Sequence, residues 1–365
     1  MASASIQEYI SESEGGRLYD IDGVALVDLR GDWHTMGRQY GSLVGSRLQT
    51  VLHYLDYKFD GNQEKRASAI DIAEKLYANY PDHLKDFFDG VSETSSIGID
   101  QLKFCNAVEY VEGCFFCSCM AAWGDYASGK LVVGRNYDAV SYRYFSWDVI
   151  VTVYHPDGCR PAATVGYAGE IYCINGLNEK GLFIELNNGT KSAGDKIHWE
   201  LCPGTTELFE QLFKAESLDD MDRFFHDTRC FTSFIIGVAD SREARSYEWC
   251  YDGVRRGDMV NPSGLMVCTN HYVNDQWPYP VPADANCWNS LTRRRNILRK
   301  AEQYKGSIDV HRAKKIMSRP LEDGGPYMPE TRYQIIAVPE DLTLHINLPR
   351  NDNWVEINLG KFFND

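Results

Sequence analysis

The sequence predicts an α+β fold in which antiparallel sheets are layered with helices. Three observations predict it. Apolar residues recur at three- and four-residue steps in the first third. At about residue 114 the texture changes to short β-like runs separated by turn signals. Beyond residue 200, helix pairs alternate with further strand groups, with no repeat of fixed period, low-complexity tract or long linker in the 365 residues.

In chain order, a β-like opening at residues 24–29 precedes a helix whose Met36, Tyr40, Leu43, Val44, Leu48, Val51, Leu52 and Leu55 share one face, capped by Asp32. A second helix carries Ile70, Ala73, Leu76 and Tyr77 and ends before Pro81, because proline disfavours a helical residue ahead of it. Leu84, Phe87, Phe88 and Val91 mark a third. Asp100 is placed to cap a fourth, with Leu102, Cys105, Val108 and Val111 inward. Strands are predicted at 117–123, 131–134, 149–154, 163–166, 171–174 and 182–186, and helices at 206–214 and 218–226. Strands at 231–238, 244–249 and 265–268, helices at 291–304 and 310–317, and strands at 333–338, 342–346 and 354–357 complete the chain.

With 44 % hydrophobic and 24 % charged residues the chain has the composition of a core-building protein. Its 37 Lys and Arg against 52 Asp and Glu leave −15, a field that repels phosphate backbones, so no nucleic-acid partner is expected. The acidic charge leans forward: 10 basic and 19 acidic side chains precede residue 117, a net of −9. No apolar run approaches the length of a membrane span. The first sixteen residues are acidic and Ser-bearing where a secretory signal needs an apolar run, and the eleven cysteines are an odd set. Free thiols in a reducing, cytoplasmic setting are therefore expected.

No phosphate loop, H-E-x-x-H zinc helix or G-x-S-x-G elbow is present, and the nine histidines show no paired i, i+4 spacing. The unusual stretch is Gly113-Cys114-Phe115-Phe116-Cys117-Ser118-Cys119-Met120-Ala121-Ala122-Trp123-Gly124. Its C-x-x-C-x-C spacing lacks a second close Cys or His pair, so no metal is expected; a buried strand is the plainer reading. A third reading takes in the next strand, which ends in Gly134-Arg135-Asn136-Tyr137-Asp138. A hairpin would return Arg135 and Asp138 beside Cys117 and Cys119. Arginine near a thiol favours thiolate, and a carboxylate can hold an ammonium group.

These two segments resemble the opening of mature N-terminal nucleophile (Ntn) hydrolases, of the acyl-coenzyme A:6-aminopenicillanic acid acyltransferase branch, with choloylglycine hydrolases, acid ceramidase and phospholipase B-like proteins as cousins. Leu29-Arg30-Gly31 through Met36-Gly37-Arg38-Gln39-Tyr40-Gly41 resembles the family's propeptide signature. Gly176-Leu177-Asn178-Glu179-Lys180-Gly181-Leu182 with Leu186-Asn187, and Thr269-Asn270-His271, are similar to its asparagine-bearing strands. The resemblance implies a four-layer αββα sandwich and a zymogen that cuts itself between Phe116 and Cys117. Residues 1–116 would be a mostly helical prosegment and 117–365 the catalytic domain. It further implies an amidohydrolase or acyltransferase that breaks a linear carbon–nitrogen bond of a small acyl amide or acyl thioester through a thioester on Cys117, with no cofactor.

The resemblance also implies roles. Cys117 is the nucleophile, and its freed α-amine, titrating near about 8, is acid and base without a histidine. Arg135 favours thiolate or holds substrate, Asp138 holds the amine, and Asn187 and Asn270 bind the oxyanion or position the amine. Arg293 or Arg294, following Ser290, corresponds to a family arginine near the substrate. Choloylglycine-hydrolase spacing counted back from Gly134-Arg135-Asn136 lands on Cys119, whereas the local Cys-Ser-x-x-Ala-Ala-Trp-Gly pattern selects Cys117; Cys114, after a glycine, is a third option. Asn188 is the alternative to Asn187, since only one of two neighbours on a strand faces the site. Two other functions are open to the sequence: ester or phospholipid hydrolysis on the same fold, and a non-catalytic or metal-binding relative in which Cys114, Cys117 and Cys119 serve structure.

Overall fold

A computed structural model describes residues 7–107, 110, 116–139, 149–194, 196–202, 204–348 and 353–364. Among them, two sheets form the middle of the molecule. The larger runs in spatial order β1 (Gln7–Ser13), β2 (Gly16–Ile21), β3 (Val24–Gly31), β6 (Val149–Pro156), β7 (Ala162–Tyr167), β8 (Asn175–Asn178), β9 (Phe183–Asn188), β10 (Phe234–Ala239), β11 (Ala244–Cys250) and β12 (Gly253–Arg256). It is antiparallel except where β3 runs parallel to β6. The smaller runs β13 (Leu265–Cys268), β4 (Ser118–Ala122), β5 (Val132–Asp138), β14 (Thr331–Val338), β15 (Thr343–Asn347) and β16 (Val355–Asn358), antiparallel throughout.

Alternation along the strands sets the layers. On β4, Cys119 and Ala121 point into the core between the sheets, while Met120 and Ala122 point outward to Ile297, Ala301, Ile316 and Met317. Those four belong to α8 (Ser290–Gln303) and α9 (Val310–Met317), which cover the smaller sheet. On the far side, Tyr154 of β6 meets Trp33 of α1 (Trp33–Lys58), Phe87 of α3 (Asp82–Thr94) and Phe209 of α6 (Thr205–Lys214) at ring distances of 5.2 to 6.4 Å. Phe225 of α7 (Leu218–Asp227) stacks on Tyr247 of β11 at 4.2 Å. The order is helices, sheet, sheet, helices, the four layers expected. Between the sheets, Asn175 donates to the Tyr333 hydroxyl at 2.7 Å and Tyr137 stacks on Tyr333 at 4.6 Å.

Four helices precede residue 107: α1, α2 (Gln63–Ala78), α3 and α4 (Ile99–Asn106). Asp32 caps α1, accepting from the Thr35 N–H at 2.7 Å. Gly37 and Gly90 let α1 and α3 cross in backbone contact: a Cβ on Gly37 would lie 2.1 Å from the Phe87 carbonyl oxygen, and one on Gly90 2.2 Å from that of His34. Buried Gln39 binds the N–H and C=O of Arg30 (2.9 and 2.8 Å) and the carbonyl of Glu14 (2.9 Å), fastening α1 to the opening strands.

The structure departs from the sequence reading in several elements. Three strands, not one, open the chain, because β1 is an exposed edge whose QEYISES pattern carries no apolar face. Residues 171–174 are an apolar turn segment and the strand follows them at β8. Gly98, not Asp100, caps α4, with Gln101 accepting from the Gly98 N–H at 3.0 Å; Asp100 sits in the first turn. β12 and the short helices α5 (Thr190–Ala193) and α10 (Leu359–Phe363) have too few residues to show a period. Val108 and Val111 lie outside the described residues. Among the described residues no helix is long and apolar enough to cross a membrane.

Candidate active site

The β4–β5 hairpin has Ser118 opposite Asn136 and Cys119 opposite Arg135. Just before β4, the backbone of Phe116 and Cys117 is held at both ends. The Phe116 N–H donates to the Asp138 carbonyl at 3.0 Å, and the Cys117 carbonyl accepts from Arg293 Nη1 at 2.6 Å. The Phe116 ring stacks on Trp288 at 5.3 Å with the Arg293 guanidinium 6.0 Å from its centroid. Trp288 and Asn289, just ahead of α8, both take left-handed backbone conformations (φ 54° and 57°), and the Trp288 carbonyl accepts from Arg293 Nε at 3.0 Å. For tryptophan that conformation is strained, a feature that gathers at functional sites.

Arg293 is fully buried and joins three predicted site residues. Nη2 donates to Asn270 Oδ1 at 2.7 Å, and Nη1, besides its bond to Cys117, lies 3.8 Å from Asp138 Oδ2. Asp138 Oδ1 accepts from Thr331 Oγ1 at 2.6 Å, where a register shift on β14 places Thr331 opposite it. Its other oxygen, Oδ2, is buried with no hydrogen-bond partner among the described residues.

Across the interlayer space Arg135 reaches β9. It pairs with buried Glu185 and donates to Asn187 Oδ1 (3.1 Å) and the Leu186 carbonyl (2.6 Å). Asn187 Nδ2 is committed twice, to Glu185 Oε1 (2.8 Å) and the Ile235 carbonyl (3.3 Å). Asn270 Nδ2 makes one bond, to the Asn188 carbonyl at 2.8 Å. An amide NH2 has two hydrogens, so among the described residues Asn270 keeps one uncommitted.

Burial dominates the electrostatics. It pushes the Cys117 thiol up to about 12, against the pull of Arg135 and a backbone hydrogen bond from Asp138. Burial also pushes Cys119 well above the ordinary thiol value, with Glu185 adding to the effect. Burial raises Asp138 to about 7 against Arg293, and Glu185 to about 7 against Arg135. It also works against the Arg135 charge, but the acidic groups around the guanidinium hold it cationic.

The structure thus brings Cys117, Asp138, Asn270 and Arg293 into one bonded cluster and sets beside it a second, Asn187 with Arg135, whose guanidinium acts on Cys117 and Asp138 through its charge. Cys119 lies one strand pair deeper, against Cys268 and Glu185. Asn188 turns away and caps Thr190 N–H with Oδ1 at 2.8 Å. Arg294 is not in the network; it binds Asn261 Oδ1 at 2.5 Å and neighbours Glu248 and Cys268, because consecutive helix residues point about 100° apart. Cys114 lies outside the described residues. Sequence reasoning missed Glu185, Thr331 and Trp288. Only Glu185 left a signal, as the one charge in the buried run Phe183-Ile184-Glu185-Leu186.

A cavity of about 380 Å³ is lined by Ser192, His271, Tyr272, Trp277, Tyr279 and Val281 among others; none of the network residues lines it, and His271, next to Asn270 in the chain, is its link to them. Its lining begins at His271, one residue past Asn270 in the segment that follows β13. The polar ends of its aromatic residues are tied behind it: Tyr272 OH to the Trp249 carbonyl (3.3 Å), Trp277 Nε1 to Glu248 (2.7 Å) and Tyr279 OH to Asp252. His271 shares a 2.7 Å hydrogen bond with Ser290, and burial lowers it to about 4, so its imidazole is neutral at pH 7. Carbon therefore forms most of the cavity wall, with exposed Asp275 at the rim.

No protein-family pattern matches the sequence, and no curated protein does. Among solved structures the chain is similar to the Caenorhabditis elegans ortholog of N-acylethanolamine-hydrolyzing acid amidase, at 16 % identity and a TM-score of 0.47 over 61 % of this chain and 93 % of that one. It is also similar to a mutant of conjugated bile acid hydrolase from Clostridium perfringens, at 14 % identity and a TM-score of 0.45 over 67 % and 93 % of the two chains. Penicillin V acylase from Agrobacterium tumefaciens matches at 10 % identity and a TM-score of 0.46 over 67 % and 87 %.

Proposed function

We propose that the chain is a self-cleaving cysteine amidohydrolase or acyltransferase of the N-terminal nucleophile type, with residues 1–116 as prosegment and Cys117 as nucleophile. The observation that carries this reading is Asp138 Oδ2, a buried carboxylate oxygen that lies 3.8 Å from Arg293 Nη1 but accepts no hydrogen bond among the described residues, beside a cysteine whose backbone is clamped on both sides. A buried carboxylate is stable when paired. Cleavage would supply the missing hydrogen-bond donor as the ammonium group of a new N-terminus.

In the uncleaved chain the Cys117 sulfur attacks the Phe116 carbonyl carbon, the carbon–nitrogen bond breaks, and the nitrogen takes a proton to become the α-amine. Water then hydrolyses the thioester, leaving the Phe116 carboxylate and a free thiol. In turnover the amine takes the thiol proton and the thiolate attacks the acyl carbon of the substrate. The uncommitted Asn270 N–H is the oxyanion donor, while Asn187, with both N–H groups committed, holds Arg135. The departing amine takes its proton from the α-ammonium, and water or an acceptor amine releases the acyl group. The carbon-walled cavity suits an apolar acyl group.

Intact-mass analysis of the purified chain tests the reading: two fragments meeting between residues 116 and 117 are expected. The processed protein should hydrolyse acyl amides and lose that activity to iodoacetamide. An undivided chain, or turnover that survives alkylation, would overturn it.

A further inference from the structure

Ten cysteines are described and all are free thiols. Two pairs are cross-strand neighbours. Cys119 and Cys268 oppose each other between β4 and β13, both sealed in the core. Cys202 and Cys230 form an isolated parallel bridge: the Cys202 N–H donates to the Arg229 carbonyl at 3.3 Å and the Phe231 N–H to the Cys202 carbonyl at 2.9 Å. These two bonds bracket Cys230 and set it beside Cys202. Paired residues on neighbouring strands stand about 4.8 Å apart, inside the Cα separation of roughly 4.4–6.8 Å that a disulfide spans. The pair is also asymmetric. Cys202 is partly exposed, with Sγ 3.1 Å from the Arg229 carbonyl, whereas Cys230 is fully buried; burial raises both thiols, Cys202 to about 12 and Cys230 well above the ordinary thiol value.

We infer that Cys202 and Cys230 are a disulfide-forming site, with Cys202 as the attacking and Cys230 as the resolving thiol toward a low-molecular-weight disulfide. Cys202 thiolate attacks one sulfur of the small disulfide, forming a mixed disulfide and expelling one thiolate. Cys230 thiolate then attacks Cys202 Sγ, closing the internal bond and expelling the second. Two protein thiols are oxidised, one small disulfide is reduced to two thiols, and the protons pass to solvent. Cys119 and Cys268 stay reduced because neither sulfur can be reached. The bond closes the loop that carries α6 and α7. It also pins the segment that receives Tyr110, whose ring lies 5.4 Å from Phe231 and whose hydroxyl shares a 2.5 Å hydrogen bond with Thr205.

The test incubates the full-length wild-type chain with oxidised glutathione, alkylates the remaining thiols and digests it without reductant. A linked pair of peptides containing Cys202 and Cys230, two hydrogen masses lighter than their sum, is expected. Cys119 and Cys268 should be recovered alkylated. The bond should form faster as pH rises, and the oxidised chain should melt higher by roughly 2–4 °C. Cys250→Ser should link normally, and Cys230→Ser should stop at the mixed disulfide on Cys202. Recovery of Cys202 and Cys230 as alkylated thiols, a stable mixed disulfide in the wild-type chain, or a Cys230–Cys250 link would each overturn the inference.

Discussion

The Arg293 guanidinium donates a 2.6 Å hydrogen bond to the carbonyl oxygen of Cys117, although the two residues are 176 positions apart. A single helix residue thereby fixes the backbone one step beyond the Phe116–Cys117 bond, and the same group binds Asn270. This geometry decides which cysteine the mutational experiments should single out.

Cys117→Ala should leave the chain undivided, and Cys119→Ala should cleave normally, because Cys119 faces Cys268 and Glu185 rather than the clamped peptide bond. Intact masses of the two variants check this. The reverse pattern would move the nucleophile to Cys119.

Asn270→Ala removes the uncommitted N–H and a partner of Arg293. Turnover of acyl amides should fall about 10²- to 10³-fold, the usual loss for one oxyanion donor. Steady-state kinetics on processed protein measure it, and a drop below about threefold would count against Asn270 as donor.

Asp138 in the folded chain holds its proton to about pH 7 through burial, whereas an unfolded aspartate releases it near about 3.9. Between those values the folded state binds the extra proton, so this group makes stability fall as pH rises from about 4 to about 7. Asp138→Asn removes that contribution. Melting curves at about pH 5 and pH 7 should show a smaller fall for the variant than for the wild type, and equal falls would contradict the assignment.

Residues 117–365 produced alone should not fold. Without β1–β3 the β6 strand loses its parallel partner, and Tyr154 loses Trp33 and Phe87. Gel filtration should find aggregate rather than a monomer, and co-production with residues 1–116 should restore solubility.

Gly37→Ala should destabilise the chain by about 1–3 kcal/mol, since the new methyl would meet the Phe87 carbonyl at the α1–α3 crossing. Urea unfolding monitors it. A neutral result would show that the helices separate without cost.

Much of this was legible in the sequence. Apolar spacing located the long helices to within a few residues, and Asp32 was recognisable as a cap because capping is local chemistry. The order of strands was not legible, and β3 lies beside β6 although α1–α4, β4 and β5 come between them in the chain. At the site, Cys117, Arg135 and Asp138 share one hairpin, so their proximity followed from sequence. Thr331 and Trp288 reach the site only through register and a left-handed turn, which leave no local pattern, and Glu185, the lone charge in a buried run, reaches it through pairing between the sheets, which the sequence does not show. The Arg293–Arg294 ambiguity needed the rotation of α8 to resolve it.

The interior position of β3, between β2 and β6, also bears on how the molecule is assembled. As one chain, the strand finds β6 by a unimolecular search whose cost grows only slowly with loop length. After a cut at Phe116–Cys117, unfolded protein would have to rejoin two separate chains, and its apparent stability would depend on protein concentration. Folding would then precede cutting by necessity, and a processed molecule once melted would refold poorly on dilution. Its lifetime would be governed by the barrier to unfolding rather than by an equilibrium.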